Sequence, residues 1–196
     1  MKDRRAISRR GFTLVELLIV IVVIGILSAM MMLSSTEAVS SAKASNIISN
    51  LRNLKTAVLG WYADNIDRVV ITRKNGQIDK TEVIDGSGNK VTFTNFINSD
   101  EGRKEILKYL NNDTAIELKS KNSSSKSNGD YFLVDLKWKE WYICYQLNDA
   151  RIKEKLASKA KSIGLSGKSD IGNDNLNAEY SNQQYVCMLV LKLDVY

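Results

Sequence analysis

From Phe12 to Leu33 the chain runs through 22 residues of which only Thr13, Glu16 and Ser28 are clearly polar. At about 1.5 Å of rise per residue, a helix of that length crosses the ~30 Å hydrocarbon core of a bilayer. Two bland readings stand beside a membrane span with a purpose. An ordinary secretory signal has an apolar region of about 7–15 residues and a small-residue cleavage site. Thr36-Glu37-Ala38 is passable as such a site, but the run is too long and contains Glu16. A plain anchor would simply tolerate Glu16, although an acid inside a membrane helix costs roughly 2.5–3.5 kcal/mol on insertion scales and usually marks a functional pairing. A cut between Gly11 and Phe12 supplies the missing cation. The new α-amine lies four residues before Glu16, and with a reference pKa near 7.7–8.0 it is mostly protonated at neutral pH. The amine of the same helix, or that of a neighbouring subunit shifted along a stack, then neutralises the acid.

The run Arg10-Gly11-Phe12-Thr13-Leu14-Val15-Glu16-Leu17-Leu18 closely resembles the processing site of type IV prepilins and of the pseudopilins of type II secretion. The resemblance covers roughly the first 55 residues. It implies that a prepilin peptidase cuts after Gly11, that Phe12 becomes the N-methylated terminus, and that Glu16 is the acid used in assembly. It also implies an α+β, pilin-like fold, with a long N-terminal helical spine packed against an antiparallel sheet. The implied partners are identical or homologous pilin subunits, the peptidase, an assembly platform, and the membrane before assembly. One departure is the lack of proline anywhere in the chain, where average composition of about 5% predicts several. Many family members carry proline where this chain has Leu33. Its absence predicts a less kinked spine, with Gly25 as a soft point.

Composition narrows the rest. Of a formal charge of +6, a net of four sits before Gly11, in Lys2, Arg4, Arg5, Arg9 and Arg10 against Asp3. Basic residues there hold the N-terminus in the cytoplasm and send the remainder of the chain outward, and they are poor grounds for nucleic-acid binding. There is no histidine, which removes the commonest general base and the commonest zinc ligand. No phosphate loop or nucleophile arrangement is present, so the reading is not an enzyme, with no cofactor required.

The chain divides in order into four parts: a removable leader at 1–11, a membrane and filament-core helix at 12–33, the amphipathic half of the spine at 34–64, and a head at 65–196. Ala44, Ile47, Leu51, Leu54, Val58 and Trp61 recur at spacings of three and four, an apolar stripe on one helix face. With no breaker before Asp64-Asn65, a single helix is predicted from about Phe12 to Tyr62. Residues 66–72 and 78–84 flank Asn75-Gly76 as a hairpin, and 90–96 adds a strand. Asp100 to Leu110 reads as a helix capped by Ser99 or Asp100. Lys119 to Asp130 is a polar low-complexity loop. Residues 131–136 and 140–147 read as strands joined at Lys137-Trp138-Lys139, and Asp149 to Ile163 as a helix. Residues 164–184 read as loop. Tyr185 to Leu193 is a closing strand with Cys187, Leu189, Leu191 and Leu193 on one face.

Cys144 and Cys187 fall on predicted strands. In an exported domain two cysteines favour a disulfide, and many family members staple a C-terminal loop in this way. The alternative is two buried free thiols. Asp170, Asn173 and Asp174, with Asn175 and Asn177, supply oxygen ligands that could hold calcium, as some major pseudopilins do near the C-terminus, but they match no regular calcium loop. Trp138 and Trp141 interleave with Lys137 and Lys139, a mix that can stack on single-stranded nucleic acid. The favoured reading places Trp141 in the core and Trp138 at a subunit surface. The sequence therefore reads as a structural subunit of a type IV pilus or pseudopilus filament, anchored in the inner membrane with its head outside the cytoplasm, then part of a periplasmic or extracellular filament. The rivals are a minor pseudopilin of a secretion or competence system, and a membrane-anchored binding or sensor domain that never assembles.

Overall fold

The structure, a computed structural model, describes residues 12–110, 116–120, 129–136, 139–168 and 185–193. The chain divides into two compact units, Met1–Val39 and Ser40–Tyr196.

The first unit is the opening part of α1 (Leu14–Asp64). It is the one described helix long and apolar enough to cross a membrane. Its apolar side chains, Phe12 through Met32, are exposed without exception among the described ones. The helix passes through Gly25 without a break.

In the second unit the pattern of α1 changes from all-round apolar to a stripe. Ala44, Ile47, Ile48, Leu51, Leu54, Ala57, Val58 and Trp61 are buried, at the three- and four-residue spacing of a helix with one wet face. Two antiparallel sheets come next. The first has the order β1 (Val69–Lys74), β2 (Gln77–Ile84), β3 (Lys90–Thr92). Asn75 and Gly76 join its hairpin with φ of 50° and 77°, both left-handed, as a two-residue turn matched to strand twist requires. The second sheet has the order β4 (Tyr131–Leu136), β5 (Glu140–Gln146), β7 (Tyr185–Lys192), β6 (Leu165–Lys168).

Among the described residues the head has three further α-helices. Thr92 caps α2 (Phe93–Asn98), Ser99 caps α3 (Asp100–Leu107), and Asp149 caps α4 (Ala150–Ile163), each side-chain oxygen accepting a first-turn N–H. The corner between α2 and α3 needs Gly102, where a Cβ would lie 2.2 Å from the Phe96 carbonyl oxygen.

One core joins these elements. The α1 stripe packs with Leu133, Trp141, Ile143, Val186, Met188 and Val190 of the second sheet and with Ile152, Leu156 and Ala160 of α4. Its aromatic centre is a run of contacts. Trp61 stacks on Phe96 at 5.0 Å, Phe93 stacks on Trp141 at 3.7 Å, and Tyr62 meets Trp141 edge-on at 5.3 Å. The indole of Trp61 donates to Glu105 at 3.2 Å, and Arg68 pairs with the same carboxylate at 3.0 Å while donating to the Ile84 carbonyl at 2.8 Å. Burial raises the Glu105 pKa, but the bonds from Arg68 and Trp61 and the charge of Arg68 outweigh it, and the net direction is down.

Several expectations are corrected. Residues 66–68 form a 3-10 turn, so β1 starts at Val69. The strand expected over 90–96 stops at Thr92, because the Thr92 hydroxyl accepts from Asn95 and Phe93, Phe96 and Ile97 then bury at helical spacing. α3 ends at Leu107 rather than Leu110. The stretch taken as loop from 164 contains β6, which pairs with β7 through Leu165–Met188 and Ser166–Cys187. The last strand does not keep one face. Trp141 pairs with Leu191 and Tyr142 with Leu189, which leaves Val190 as a bulge. Cys187 and Leu189 therefore pack with Phe132, Val134 and Tyr142 on the outer face, while Leu191 and Leu193 join the core.

Cys144 and Cys187 are opposite partners in the β5–β7 register and are bonded to each other, both almost fully buried. Their separation of 43 residues makes the cross-link worth roughly 4 kcal/mol in loop-closure entropy. Replacing both by serine should lower the melting temperature of the full chain in micelles by well over about 5 °C; an unchanged melt would show that the bond adds nothing to stability.

Asp135 sits opposite Trp141 on the core side of β4, half-buried as a residue. Its Oδ1 and the Trp141 Nε1 are sealed from solvent without a hydrogen-bond partner among the described residues. Burial pushes the carboxyl up to about 7, against a weaker lowering by the Thr94 hydroxyl. Folding therefore takes up a proton between the ordinary value of 3.8 and about 7, and the stability this contributes is lost as pH rises through that window. Asp135→Asn should flatten the fall in unfolding free energy between about pH 4 and 7, a fall that Asp135 makes on the order of a few kcal/mol in the unsubstituted protein. Parallel pH profiles for the two proteins would contradict the assignment.

Candidate functional site

The candidate site is the start of α1. Phe12 is 78% exposed, and Thr13 is the residue just before the first helical position, Leu14. The first four N–H groups of a helix have no partner within it. Here two of them are met reciprocally. The Glu16 N–H donates to the Thr13 hydroxyl at 3.2 Å, and the Thr13 N–H donates to Glu16 Oε2 at 2.8 Å. The Thr13 hydroxyl donates to the same Oε2 at 2.9 Å, and the Leu17 N–H to the Thr13 carbonyl at 3.2 Å closes the first helical turn. This is a capping box, with threonine at the cap and glutamate three residues on.

The arrangement answers part of the question that Glu16 poses. An acid in an apolar segment is costly when bare, and here one oxygen receives two donors from its own chain. A helix N-terminus also favours negative charge. Among the described residues Oε1 has no partner, and an ionised carboxylate accepts about four bonds. The site can thus hold its own helix start and still take a further donor.

Thr13 holds the helix start at this site, a part that reasoning from charge alone passes over. Its signal was present, since Thr13-x-x-Glu16 before an apolar run is the written form of a capping box.

Gly11 lies outside the described residues, as do the rest of the leader, the calcium candidates Asp170, Asn173 and Asp174, and Lys137 and Trp138. Among the described residues no group of three or more His, Cys, Asp or Glu could hold a metal. Trp141 is fully buried in the aromatic core, so it offers no face to a nucleic-acid base.

Residues 7–32 match the family model described as the prokaryotic N-terminal methylation motif, the class III signal peptide of type IV pilins and pseudopilins. Comparison with curated proteins and with solved structures finds no match.

Removing the hydroxyl tests the capping box. In Thr13→Val the start of α1 should be weaker by about 1 kcal/mol, read as roughly fivefold faster amide exchange at residues 14–17 of the full chain in micelles. Exchange unchanged at those amides would show that Thr13 does not hold the helix start.

Proposed function

We propose that the chain, carrying the class III signal peptide of type IV pilins and pseudopilins, is a structural subunit of a filament of that class. It is made as a prepilin with its first eleven residues as leader. A prepilin peptidase cuts between Gly11 and Phe12, and the new terminus at Phe12 is methylated. The apolar start of α1 holds the subunit in the inner membrane until it joins identical or homologous subunits.

The observation that carries this reading is the methylation motif lying on an apolar helix whose described side chains from Phe12 to Met32 are exposed. Lipid and other helices of the same kind are the two environments that suit such a surface. Moving between them exchanges one apolar surrounding for another, so assembly need not expose the segment to water.

Glu16 gives the transfer a direction. Its Oε2 is bonded within the chain, and its other oxygen accepts the ammonium of Phe12 from a neighbouring subunit. Before cleavage Phe12 carries an amide, so an uncut chain cannot make that pair. Processing and assembly are thereby linked by one charge. The head provides the outer surface and carries out no chemistry.

Mass spectrometry of the chain co-expressed with a prepilin peptidase tests the reading. The expected N-terminal peptide begins at N-methyl-Phe12. Glu16→Ala should be processed normally, yet enter filaments at least about tenfold less, as expected for a lost ion pair in an apolar setting. A functional protein that keeps Met1, or wild-type filament yield from Glu16→Ala, would contradict it.

A further inference from the structure

A recess of about 360 Å³ opens on the head where α1, β4, the end of β5 and the start of α4 converge. That volume is within the roughly 300–1,000 Å³ of small-molecule sites. Ile47 and Leu147 give it an apolar lining. Tyr131 and Tyr145 form an aromatic wall, their ring centres 4.8 Å apart and their planes tilted by 51°. Asn46 and Asn50 line the α1 side, and Lys43 and Asp149 complete the polar lining.

The polar groups retain bonding capacity. Asn50 donates its amide to the Tyr131 hydroxyl at 3.0 Å, which fixes the carboxamide and leaves its Oδ1 for a ligand. Asp149 uses Oδ1 to accept from the N–H groups of Arg151 and Ile152, leaving Oδ2. Burial pushes the Tyr131 hydroxyl up to about 12, so it stays neutral and remains a donor. The recess therefore offers neutral donors and acceptors side by side, over an apolar lining and beside ring faces.

That chemistry disfavours anionic and purely apolar ligands. One ammonium and one carboxylate leave no net charge, so a phosphate meets Asp149 as well as Lys43. A hydrocarbon ligand would cover the Asn46 carboxamide and the Asn50 Oδ1 without giving either a partner, each costing roughly 1–3 kcal/mol if buried so. A neutral ring with hydroxyls around its edge and an apolar face satisfies both sets. An acetamido substituent adds an N–H of the kind that Asn50 Oδ1 accepts and a methyl suited to the apolar part of the lining. The geometry points to a saccharide site on the head, suited to an N-acetylated hexosamine. The site lies wholly within Ser40–Tyr196 and does not depend on filament assembly.

Saturation-transfer NMR on the full chain, in a zwitterionic detergent free of sugar, tests this with N,N′-diacetylchitobiose and cellobiose as probes. Transfer should reach chitobiose, strongest at the acetamido methyl. It should be at least about fivefold weaker for cellobiose, and weaker by a similar factor in Asn46→Ala and Asn50→Ala, the equivalent of one lost hydrogen bond. Lys43→Gln should leave the signal within about twofold, since exposed charge adds little to such a site. Asn50→Ala also removes the Tyr131 contact, so Asn46→Ala, at an exposed position, decides the matter if Asn50→Ala melts early. No transfer to chitobiose, equal transfer to both sugars, or an undiminished signal in folded Asn46→Ala would overturn the assignment.

Discussion

The apolar side chains from Phe12 to Met32 are exposed among the described residues, and much else about the protein answers to that. Burying one Val, Leu, Ile, Phe or Met side chain is worth roughly 1.5–3 kcal/mol, and the segment carries more than a dozen such side chains. Water is therefore closed to it. In lipid or in a bundle of like helices, a polar group must bring its own partners. Glu16 does so twice through Thr13. In the proposed assembly a third donor comes from the Phe12 ammonium, which exists only once the leader is gone.

The same helix meets a different demand after Ser40. There the apolar residues narrow to one face, and two sheets and α4 close over it. Trp61 is the pivot of that closure. Its ring lies in the aromatic stack, while its N–H reaches the carboxylate that also holds Arg68. A packed contact and a charged network thus hold the C-terminal end of α1 to α3 and β2. The disulfide acts on the other side of the second sheet, where Cys144 and Cys187 sit among Phe132, Val134 and Tyr142. The head's polar recess is a by-product of the same convergence, since Asn46 and Asn50 stand at the edge of the α1 stripe.

Much of this was legible in the residues because local rules and long-range packing agree. The change in α1 from all-round to striped hydrophobicity, the Asn75-Gly76 turn, a helix cap at Ser99 or Asp100 and the strands read over 131–136 and 140–147 each arise from short-range chemistry. What misled was tertiary. Lys90 to Phe96 has strand composition, yet Thr92 caps a helix there because Phe93, Phe96 and Ile97 have a core to enter. Alternation in β7 is broken by a bulge that only its pairing with β5 reveals. β6 is four residues beside a glycine, with no pattern of its own to announce it. The capping box is legible as Thr13-x-x-Glu16 ahead of an apolar run, a pattern that charge alone does not bring out. Asp135 continues the inward alternation of Tyr131 and Leu133, a position where an acid would not be looked for. The recess draws on residues from 43 to 152 and has no linear signature at all.

The central claim is that Glu16 receives the Phe12 ammonium from another subunit. Filaments assembled from a mixture, half with ¹⁵N-labelled phenylalanine and half with ¹³C-labelled glutamate, test it by solid-state NMR. The account predicts a cross-peak between the Phe12 amine nitrogen and the Glu16 carboxyl carbon, which in such a mixture can arise only between chains. Absence of that peak in well-ordered filaments, with the Glu16 carboxyl in contact only with Thr13 of its own chain, would contradict it.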